Sequence, residues 1–353
     1  MNQALVDRIV NAILYEGYIL YPYRPSVKNR QRWTFGGLYP SAYCAAQGGT
    51  ESPAMQTECL VQGSPKTTLD VTARFLHLLA RQVGELPRVM TELPEGKEPA
   101  YRAVETLEID GKRHYTWQEA VERQVALGDC LLGALTGRPR EKPFAFPACR
   151  SLELLRKGDG GIAGVIVREQ KAIAGTVELS AVVADEGLYR LTARARNGTT
   201  LEDAGATGRD DALLRALVST HTIIGVREGE FVSLLDPPER WRELAAACRN
   251  VGTWPVLVGA EGDKDTMLSS PIILYDYPQV APESPGDLFD GAEIDEILTL
   301  RILTLTDEEK LAVAAVDERA RALLQRTEAL ARDQMMQLHG TIRRLATVEE
   351  AKA

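Results

Sequence analysis

The side chains that most often carry out chemistry in proteins are few and scattered along this sequence. The four histidines are His77, His114, His221 and His339, and each falls in a different predicted element. The five cysteines are widely spaced and include no Cys-x-x-Cys pair: Cys44, Cys59, Cys130, Cys149 and Cys248. Zinc and iron–sulfur sites usually show short ligand spacings. The sequence therefore predicts no metal site and no cofactor, while a site assembled from remote residues stays open.

Two short motifs suggest ligand binding, and both fail on spacing. The glycine cluster Gly158–Gly164 lacks the dinucleotide-binding pattern and runs into the strand-like Val165–Val167, where a phosphate site needs a helix N-terminus. Asp263 and Asp265 resemble the start of a calcium loop, but the third acid and the distal glutamate are missing. We therefore expect neither a phosphate site nor a calcium site, and a plain turn around the two aspartates.

Paired carboxylates are the remaining candidates for acid–base chemistry. Asp295 and Glu296 lie beside Glu293 and are close enough in sequence to act together. Their surroundings are so acidic, however, that such pairs are expected by coincidence. The sequence also contains no Walker, Gly-x-Ser-x-Gly or His-Glu-x-x-His motif. We therefore predict no catalytic residue, and the sequence favours a non-catalytic protein.

The net charge of −9 over 353 residues is concentrated in one segment. Between Asp276 and Glu309 there are ten acids and a single base, Arg301, so this segment carries −9 and the rest of the chain is neutral. By contrast, no acid occurs from Tyr18 to Gln47. An acidic chain is poorly suited to nucleic acid, which is bound by basic surfaces. The two charged segments are either solvated faces or segments that dock on each other within the chain. The alternative is a surface that steers a protein partner.

The acid-free segment near the N-terminus is also unusually aromatic. Six of the 11 tyrosines fall between Tyr15 and Tyr43, interrupted by prolines that are incompatible with a helix. We predict an extended arm that packs either on its own chain or on a protein partner, because Tyr, Trp and Arg dominate interface hot spots. The candidate partner-binding residues lie in this arm and in the acidic segment: Tyr21, Tyr23, Arg24, Arg30, Arg32, Trp33, Asp287, Asp290, Asp295 and Glu296.

These residues must be positioned by a chain that reads mainly as short strands. Apolar periodicity predicts a helix over residues 2–16, and β-branched runs predict strands at 56–62, 67–79, 103–109 and 112–117. The Asp110-Gly111 pair predicts a type I′ hairpin turn. Roughly periodic apolar residues predict a helix at Gln118–Leu132.

The second half repeats this pattern and ends in a long helix. Strands are predicted at 163–168, 176–183, 188–196, 221–226, 231–235, 255–259 and 267–275, with helices at 209–218 and 241–248. Asn197-Gly198 is interpreted as another hairpin turn. A capping box at Thr306–Glu309 opens a long C-terminal helix.

The predicted fold class is α+β, mainly β, with antiparallel β-sandwich-like modules, an N-terminal helix and a long C-terminal helix. The predicted divisions are an N-terminal helix and aromatic-basic arm at 1–50, a first β-rich module at 51–147, a second at 148–260, and an acidic segment with the C-terminal helix at 261–353. No signal peptide or long apolar window is visible, and the cysteine pattern suits a reducing compartment. We expect a cytoplasmic protein without membrane insertion.

Three groups of residues together resemble a known family. They are Ile13–Arg24 with Arg32–Pro40, then Phe231–Pro238, and finally Ser270–Pro278 continuing to Glu309. The sequence resembles a bacterial family encoded among the accessory genes of high-affinity nickel–iron uptake hydrogenases. The resemblance transfers no functional residues, but it implies an association with the hydrogenase.

The resemblance, the charge separation and the missing catalytic motifs together favour one function. We predict a non-catalytic accessory or scaffold protein for nickel–iron hydrogenase maturation or assembly, with hydrogenase subunits or maturation factors as partners. The alternative is an enzyme or metal carrier whose site is assembled from remote residues. A third possibility is a structural module of a larger complex.

Overall fold

The computed structural model of the chain describes residues 3–14, 36–92 and 98–279, together with Gln325. Apart from Gln325, the predicted long C-terminal helix lies outside these residues. The predicted N-terminal helix is present as α1, Gln3–Leu14. No helix in the described ranges is long and apolar enough to cross a membrane.

The remaining elements are mostly antiparallel strands. The helices after α1 are all short: α2 Ser41–Ala46, α3 Leu132–Gly137, α4 Arg209–Leu213 and α5 Arg242–Ala246, with a 3-10 turn at Glu239–Trp241. The strands are β1 Ala54–Met90, β2 Arg102–Val104, β3 Thr106–Ile109, β4 Lys112–Tyr115, β5 Trp117–Leu131, β6 Arg140–Phe146, β7 Cys149–Arg156, β8 Ile162–Gln170, β9 Ile173–Asp185, β10 Leu188–Asn197, β11 Val218–Val232, β12 Trp254–Leu257 and β13 Thr266–Ser270.

The long strand β1 organises the whole sheet. Its first part pairs with β10, its middle part lies between β5 and β11, and its last part pairs with β8 and β2. Eleven of the strands in the described ranges belong to this one sheet, and β3 and β4 form a separate hairpin. The predicted break at residues 63–66 is instead a register shift between Gly63 and Thr68 within β1. A bulge of this kind lets one strand bend and change neighbours.

The main apolar core lies on one face of this curved sheet. Alternate residues of β1, β5, β9, β10 and β11 point into it, as the period of two in a strand requires. Buried members include Val71, Phe75, Leu191, Ile224 and Phe231. The opposite face of β11–β13 is covered by α1, whose Val6, Ile9, Val10 and Ile13 are buried against it. The apolar periodicity that predicted α1 therefore corresponds to a real packing surface.

One predicted helix is wrong. Residues 118–131 lie in β5, which pairs with β1 from Thr68↔Leu131 to Arg81↔Trp117, and Leu132 begins α3. Glu119, Val121 and Arg123 point to the same side of the sheet as the buried Val125. Because two of these residues are charged, the alternation of apolar and polar residues that predicts a strand is not visible in the sequence. Pairing with β1 along its length outweighed the weak helical pattern, as tertiary context often does.

The two predicted Asx-Gly turns have opposite outcomes. Asp110 and Gly111 join β3 to β4 with φ of 49° and 77°, so this hairpin is confirmed. Asn197, by contrast, is fully buried at the end of β10, and its amide donates to the carbonyls of Leu38 and Arg215, both at 2.8 Å. The turn preceding β10 is at Glu186-Gly187 instead. A buried hydrogen-bonding role for Asn leaves no local sequence signal.

The domain limits stay predictions, although hydrogen bonding continues across one of them. Strand β6 lies before the proposed boundary at residue 147 and pairs with β9, which lies after it.

The predicted helix at 209–218 ends earlier, at Leu213, because β11 already begins at Val218.

Candidate functional site

The ten predicted partner-binding residues all lie outside the described residues. The structure therefore does not bring them together or separate them. They are Tyr21, Tyr23, Arg24, Arg30, Arg32, Trp33, Asp287, Asp290, Asp295 and Glu296.

One acid of the acidic segment is described, and it has a structural role. The Asp276 carboxylate accepts hydrogen bonds from Ser233 Oγ at 2.5 Å and from the backbone N–H of Leu257 at 2.7 Å. The N–H of Tyr277 donates to the Leu257 carbonyl at 2.7 Å. These bonds satisfy the outer edge of β12, which is the last strand on its side of the sheet.

The structure reveals a polar cluster that the sequence analysis did not identify. Its members share one face of three adjacent strands, β1, β5 and β8, as the pairings Arg81↔Trp117, Leu79↔Glu119 and Leu79↔Gln170 require. The His77 cluster, as we name it, consists of His77, Arg81, Trp117, Glu119, Arg123, Arg168 and Gln170. The main apolar core adjoins it at Phe75, and a smaller core adjoins it at Val83. Polar residues thus separate two apolar regions of the same face.

The imidazole of His77 is the most buried group of the cluster. His77 Nδ1 and the amide nitrogen of Gln170 are 2.5 Å apart. With the amide donating to Nδ1, the proton of the neutral ring sits on Nε2. Burial and the nearby positive charge of Arg123 lower the pKa of His77 to about 4, against a hydrogen bond to the Lys171 backbone that raises it. His77 is therefore neutral at physiological pH.

A chain of ion pairs leads from the cluster to the solvent. Arg81 Nε lies 3.3 Å from Glu119, and Arg168 Nε donates to the other oxygen of Glu119 at 2.8 Å. Arg168 also donates to Glu153 at 2.7 Å, and the Glu153 side chain is 53% exposed. His114 lies close to this chain: burial, Lys112 and Arg81 lower its pKa, while Glu153 raises it.

Arg123 differs from the other two arginines of the cluster. Its guanidinium lies over the ring of Phe146, 4.6 Å from the centroid, where a cation–π contact is favourable. Its Nε is buried without a hydrogen-bond partner in the described ranges. Arg81 and Arg168 both contact Glu119, whereas the described contact of Arg123 is with an aromatic ring.

A second polar cluster lies beneath α1, and every guanidinium nitrogen of its arginine has an acceptor. Arg74 Nε donates to Glu122 at 3.0 Å. Its two terminal guanidinium nitrogens donate to residues of α1, to Asp7 at 3.1 Å and to Asn11 at 2.8 Å. His221 pairs with Arg74 across β1 and β11, and its Nδ1 lies 2.7 Å from the Ser219 carbonyl. We call these five residues, Arg74, Asp7, Asn11, Glu122 and His221, the Arg74 cluster. It attaches α1 to the sheet.

The histidines and cysteines do not assemble into a metal site in the part of the chain that the structure describes. No three His, Cys, Asp or Glu side chains there are arranged to hold a metal ion. Asp263 is in a turn where its carboxylate accepts from the N–H of Ala260 at 2.8 Å, as the turn prediction requires. His339 lies outside the described residues.

The stretches that carry the family resemblance meet in the fold. Gly36, with φ of 53°, lies against Pro271: a Cβ atom added to Gly36 would be only 2.5 Å from the Cβ of the proline. The hydroxyl of Ser233 donates a hydrogen bond to the Asp276 carboxylate. The chain segments that make or adjoin these contacts carry four apolar side chains that are between 45% and 82% exposed, and we call these four the exposed apolar strip: Leu235, Trp254, Ile273 and Tyr275. Ile273 and Tyr275 alternate with Ile272 and Leu274, which pack towards α1. The buried residues therefore fix the segment that presents the exposed ones.

Comparison with known proteins adds no family. A scan against protein-family models gives no match, and a search of curated proteins gives none either.

Proposed function

We propose that this protein is a non-catalytic accessory or scaffold protein that acts by protein–protein interaction in the maturation or assembly of a nickel–iron hydrogenase. Its partners are hydrogenase subunits or maturation factors. The observation that supports this proposal most is the exposed apolar strip, because it lies where the stretches of the family resemblance come together.

The composition of the strip is that of an interface and not of a solvated loop. Aromatic residues are enriched at the centres of protein interfaces, and exposed apolar groups gathered in one region often mark such surfaces. The Tyr275 side chain is 82% exposed and that of Ile273 is 68% exposed. The backbone that carries them is held by Asp276 and Tyr277 on β12, so little ordering remains when a partner binds.

The proposal is tested by affinity capture of the full chain from cells that make the hydrogenase. The double variant Ile273→Ser, Tyr275→Ser should capture about tenfold less hydrogenase subunit or maturation factor than the wild type, because hot-spot residues carry most of the binding energy. The matched control is Val182→Ser with Val183→Ser on β9, two valines that are 48% and 65% exposed. Equal capture by both double variants would contradict a role for the strip.

Two further experiments test the proposal independently of the strip. Deleting the gene should lower mature hydrogenase activity, and unchanged subunit processing with unchanged activity would refute the proposal. Charge reversal of the arm, Arg30→Glu with Arg32→Glu, should weaken capture of the partner if the arm participates. Undiminished capture would show that the arm has no part in binding.

A further inference from the structure

We propose that the exposed apolar strip binds a partner segment whose apolar side chains are followed by Lys or Arg at the Tyr275 end of the strip. The inference rests on the proposed function for the use of the strip as an interface, and it adds the chemistry and the direction of the bound segment. It is carried by exposed carboxylates that lie at one end of the strip and form no ion pair with another described residue.

The strip has two distinct ends because the segment after β13 folds back along β12. Ser270 is paired with Trp254 at the start of β12, and the Asp276 carboxylate accepts from the N–H of Leu257 at its end. The chain between them therefore runs along the outer edge of β12. Trp254 marks one end of the strip, and Tyr275 lies towards the other.

The first acid at the Tyr275 end is Asp236. Its N–H donates to Ser233 Oγ at 2.9 Å, and the same hydroxyl donates to the Asp276 carboxylate at 2.5 Å. Because Asp276 directly follows Tyr275, these two bonds hold Asp236 near the tyrosine. Asp236 is exposed.

Two more acids lie in the turn at residues 260–263, which adjoins Tyr277. Burial raises the pKa of Tyr277, as do three nearby carboxylates: Asp276, Asp263 and Glu261. A hydrogen bond with the backbone of Gly262 acts in the opposite direction. Glu261 and Asp263 are both exposed, so their charges face solvent close to the end of the strip.

The negative charge of these acids is not neutralised by the described residues. None of Asp236, Glu261 and Asp263 forms an ion pair in the described ranges, and the nearby bases have other contacts. These are Lys264 with Glu230 at 3.9 Å, Arg242 with Glu239 at 2.6 Å, and Arg240 over the ring of Trp241 at 3.9 Å. The sequence after Gln279 also contains no Lys or Arg before Arg301. Cationic side chains of a partner therefore complement this end.

The other end of the strip lacks such charges in the adjoining sequence. Trp254 is preceded by the uncharged residues 251–253, and Val251 is itself 52% exposed. An interface usually combines an apolar centre with a polar rim. Here the described acids of the rim lie at the Tyr275 end, which fixes the direction of the bound segment.

The test measures the binding of two synthetic nine-residue peptides to the full chain by fluorescence anisotropy. Both begin with six residues of alternating leucine and serine, and one ends in three arginines and the other in three glutamates. At an ionic strength of about 0.01 M, where screening is weak, the arginine peptide should bind about tenfold more tightly than the glutamate peptide. Equal affinities, or tighter binding of the glutamate peptide, would overturn the inference.

Paired charge variants show whether this preference arises at the strip. Asp236→Asn with Glu261→Gln should weaken binding of the arginine peptide about threefold. The control is Glu202→Gln with Asp203→Asn, which removes the same charge from two exposed acids in the turn before α4. Equal affinity of the two double variants would show that only the net charge of the chain attracts the peptide, and would overturn the inference.

A second pair of variants tests the apolar part of the surface. Ile273→Ser with Tyr275→Ser should weaken binding of the arginine peptide about tenfold, whereas Val182→Ser with Val183→Ser should leave it unchanged. Near-ultraviolet circular dichroism checks that each variant is folded. Wild-type affinity in the folded Ile273→Ser, Tyr275→Ser protein would refute the assignment of the strip.

Two other occupants of the strip give different results. If the aromatic-basic arm of the same chain covered the strip, the arginine peptide would bind only after Arg30→Glu with Arg32→Glu. If a second copy covered it, sedimentation velocity would show a dimer that Ile273→Ser with Tyr275→Ser abolishes. Either result would overturn the assignment to a partner segment.

The peptide measurements use no hydrogenase component, so the two proposals fail separately. Unchanged hydrogenase activity after gene deletion would refute the proposed function and leave the peptide preference standing. Loss of the charge preference would refute this inference and leave the capture of hydrogenase subunits by the strip standing.

Discussion

The two buried polar clusters contain the same kinds of residues and differ in how completely they are satisfied. Each has a fully buried histidine and an arginine on neighbouring strands, on opposite faces of the same sheet. In the Arg74 cluster all three guanidinium nitrogens have acceptors, on Asp7, Asn11 and Glu122. In the His77 cluster the Nε of Arg123 has none among the described residues.

The two histidines carry their proton on different ring nitrogens. His221 Nδ1 donates to the Ser219 carbonyl at 2.7 Å, so its Nε2, which has no hydrogen-bond partner among the described residues, is an acceptor. His77 Nδ1 accepts from Gln170, so the proton of its neutral ring is on Nε2. The arginines differ more: Arg74 links α1 to the sheet, whereas Arg123 contacts the ring of Phe146.

The largest expected effect is a difference in stability between matched arginine variants. Arg74→Met should lower the free energy of unfolding by about 3 kcal/mol, because it leaves carboxylates of α1 and β5 without their partner. Arg123→Met should change it by less than about 1 kcal/mol, because this guanidinium gains little beyond a cation–π contact. Urea denaturation of both variants measures the difference. Equal losses would mean that the two clusters have the same structural role.

The second prediction concerns what the clusters share. Burial lowers the pKa of both His77 and His221 from 6.5 to about 4. The unfolded chain therefore binds a proton at a higher pH than the folded chain, so stability is complete above pH 6.5 and is lost as the pH falls towards 4. Each histidine should cost about 2 kcal/mol of stability between about pH 7 and about pH 5.

Single variants separate the contributions of the two histidines. In His77→Gln and in His221→Asn, the fall in the free energy of unfolding over this pH range should be smaller by about 2 kcal/mol than in the wild type. Chemical denaturation at several pH values provides the measurement, and carboxylates that titrate in the same range cancel in the comparison. A pH dependence that is unchanged in one variant would show that the corresponding ring is not held neutral by burial.

The smallest expected effect is at the solvent side of the His77 cluster. Glu153→Gln removes an exposed partner of Arg168 and should change the free energy of unfolding by less than about 0.5 kcal/mol. The control is Glu108→Gln, which removes a similarly exposed partner of Arg113. Urea denaturation of both variants measures the effect, and a loss above about 1 kcal/mol in Glu153→Gln alone would contradict this prediction.

Much of the architecture was predictable where local patterns and packing agree. The Asp110-Gly111 hairpin and α1 were predicted correctly because a turn with positive φ and a continuous apolar helix face are written in adjacent residues. The predominance of antiparallel strands was also predictable. The helix assigned to residues 118–132 was wrong because Glu119 and Arg123 occupy positions where a core-facing strand normally carries apolar residues.

The clusters themselves could not be predicted from the sequence. His77, Arg123 and Gln170 belong to three strands separated by long stretches of chain, and only the pairing of β1 with β5 and β8 places them together. One signal was available: Arg74 and His77 are polar residues within the predicted strand at 67–79, next to apolar residues such as Phe75 and Leu76. Such residues must find partners when buried, so each is a reason to expect a polar cluster.

The sequence by itself determined the strand-rich class, the short N-terminal helix, the confirmed hairpin and the placement of charge along the chain. These properties depend on neighbouring residues and on periods of two or 3.6 positions. Only the tertiary structure decided that Asp276 is bound to Ser233 and Leu257, and that Asn197 is buried. It also decided that all three guanidinium nitrogens of Arg74 have acceptors, whereas the Nε of Arg123 has none among the described residues. Hydrogen-bond satisfaction depends on which distant groups meet, and strand pairing over long sequence separations sets this.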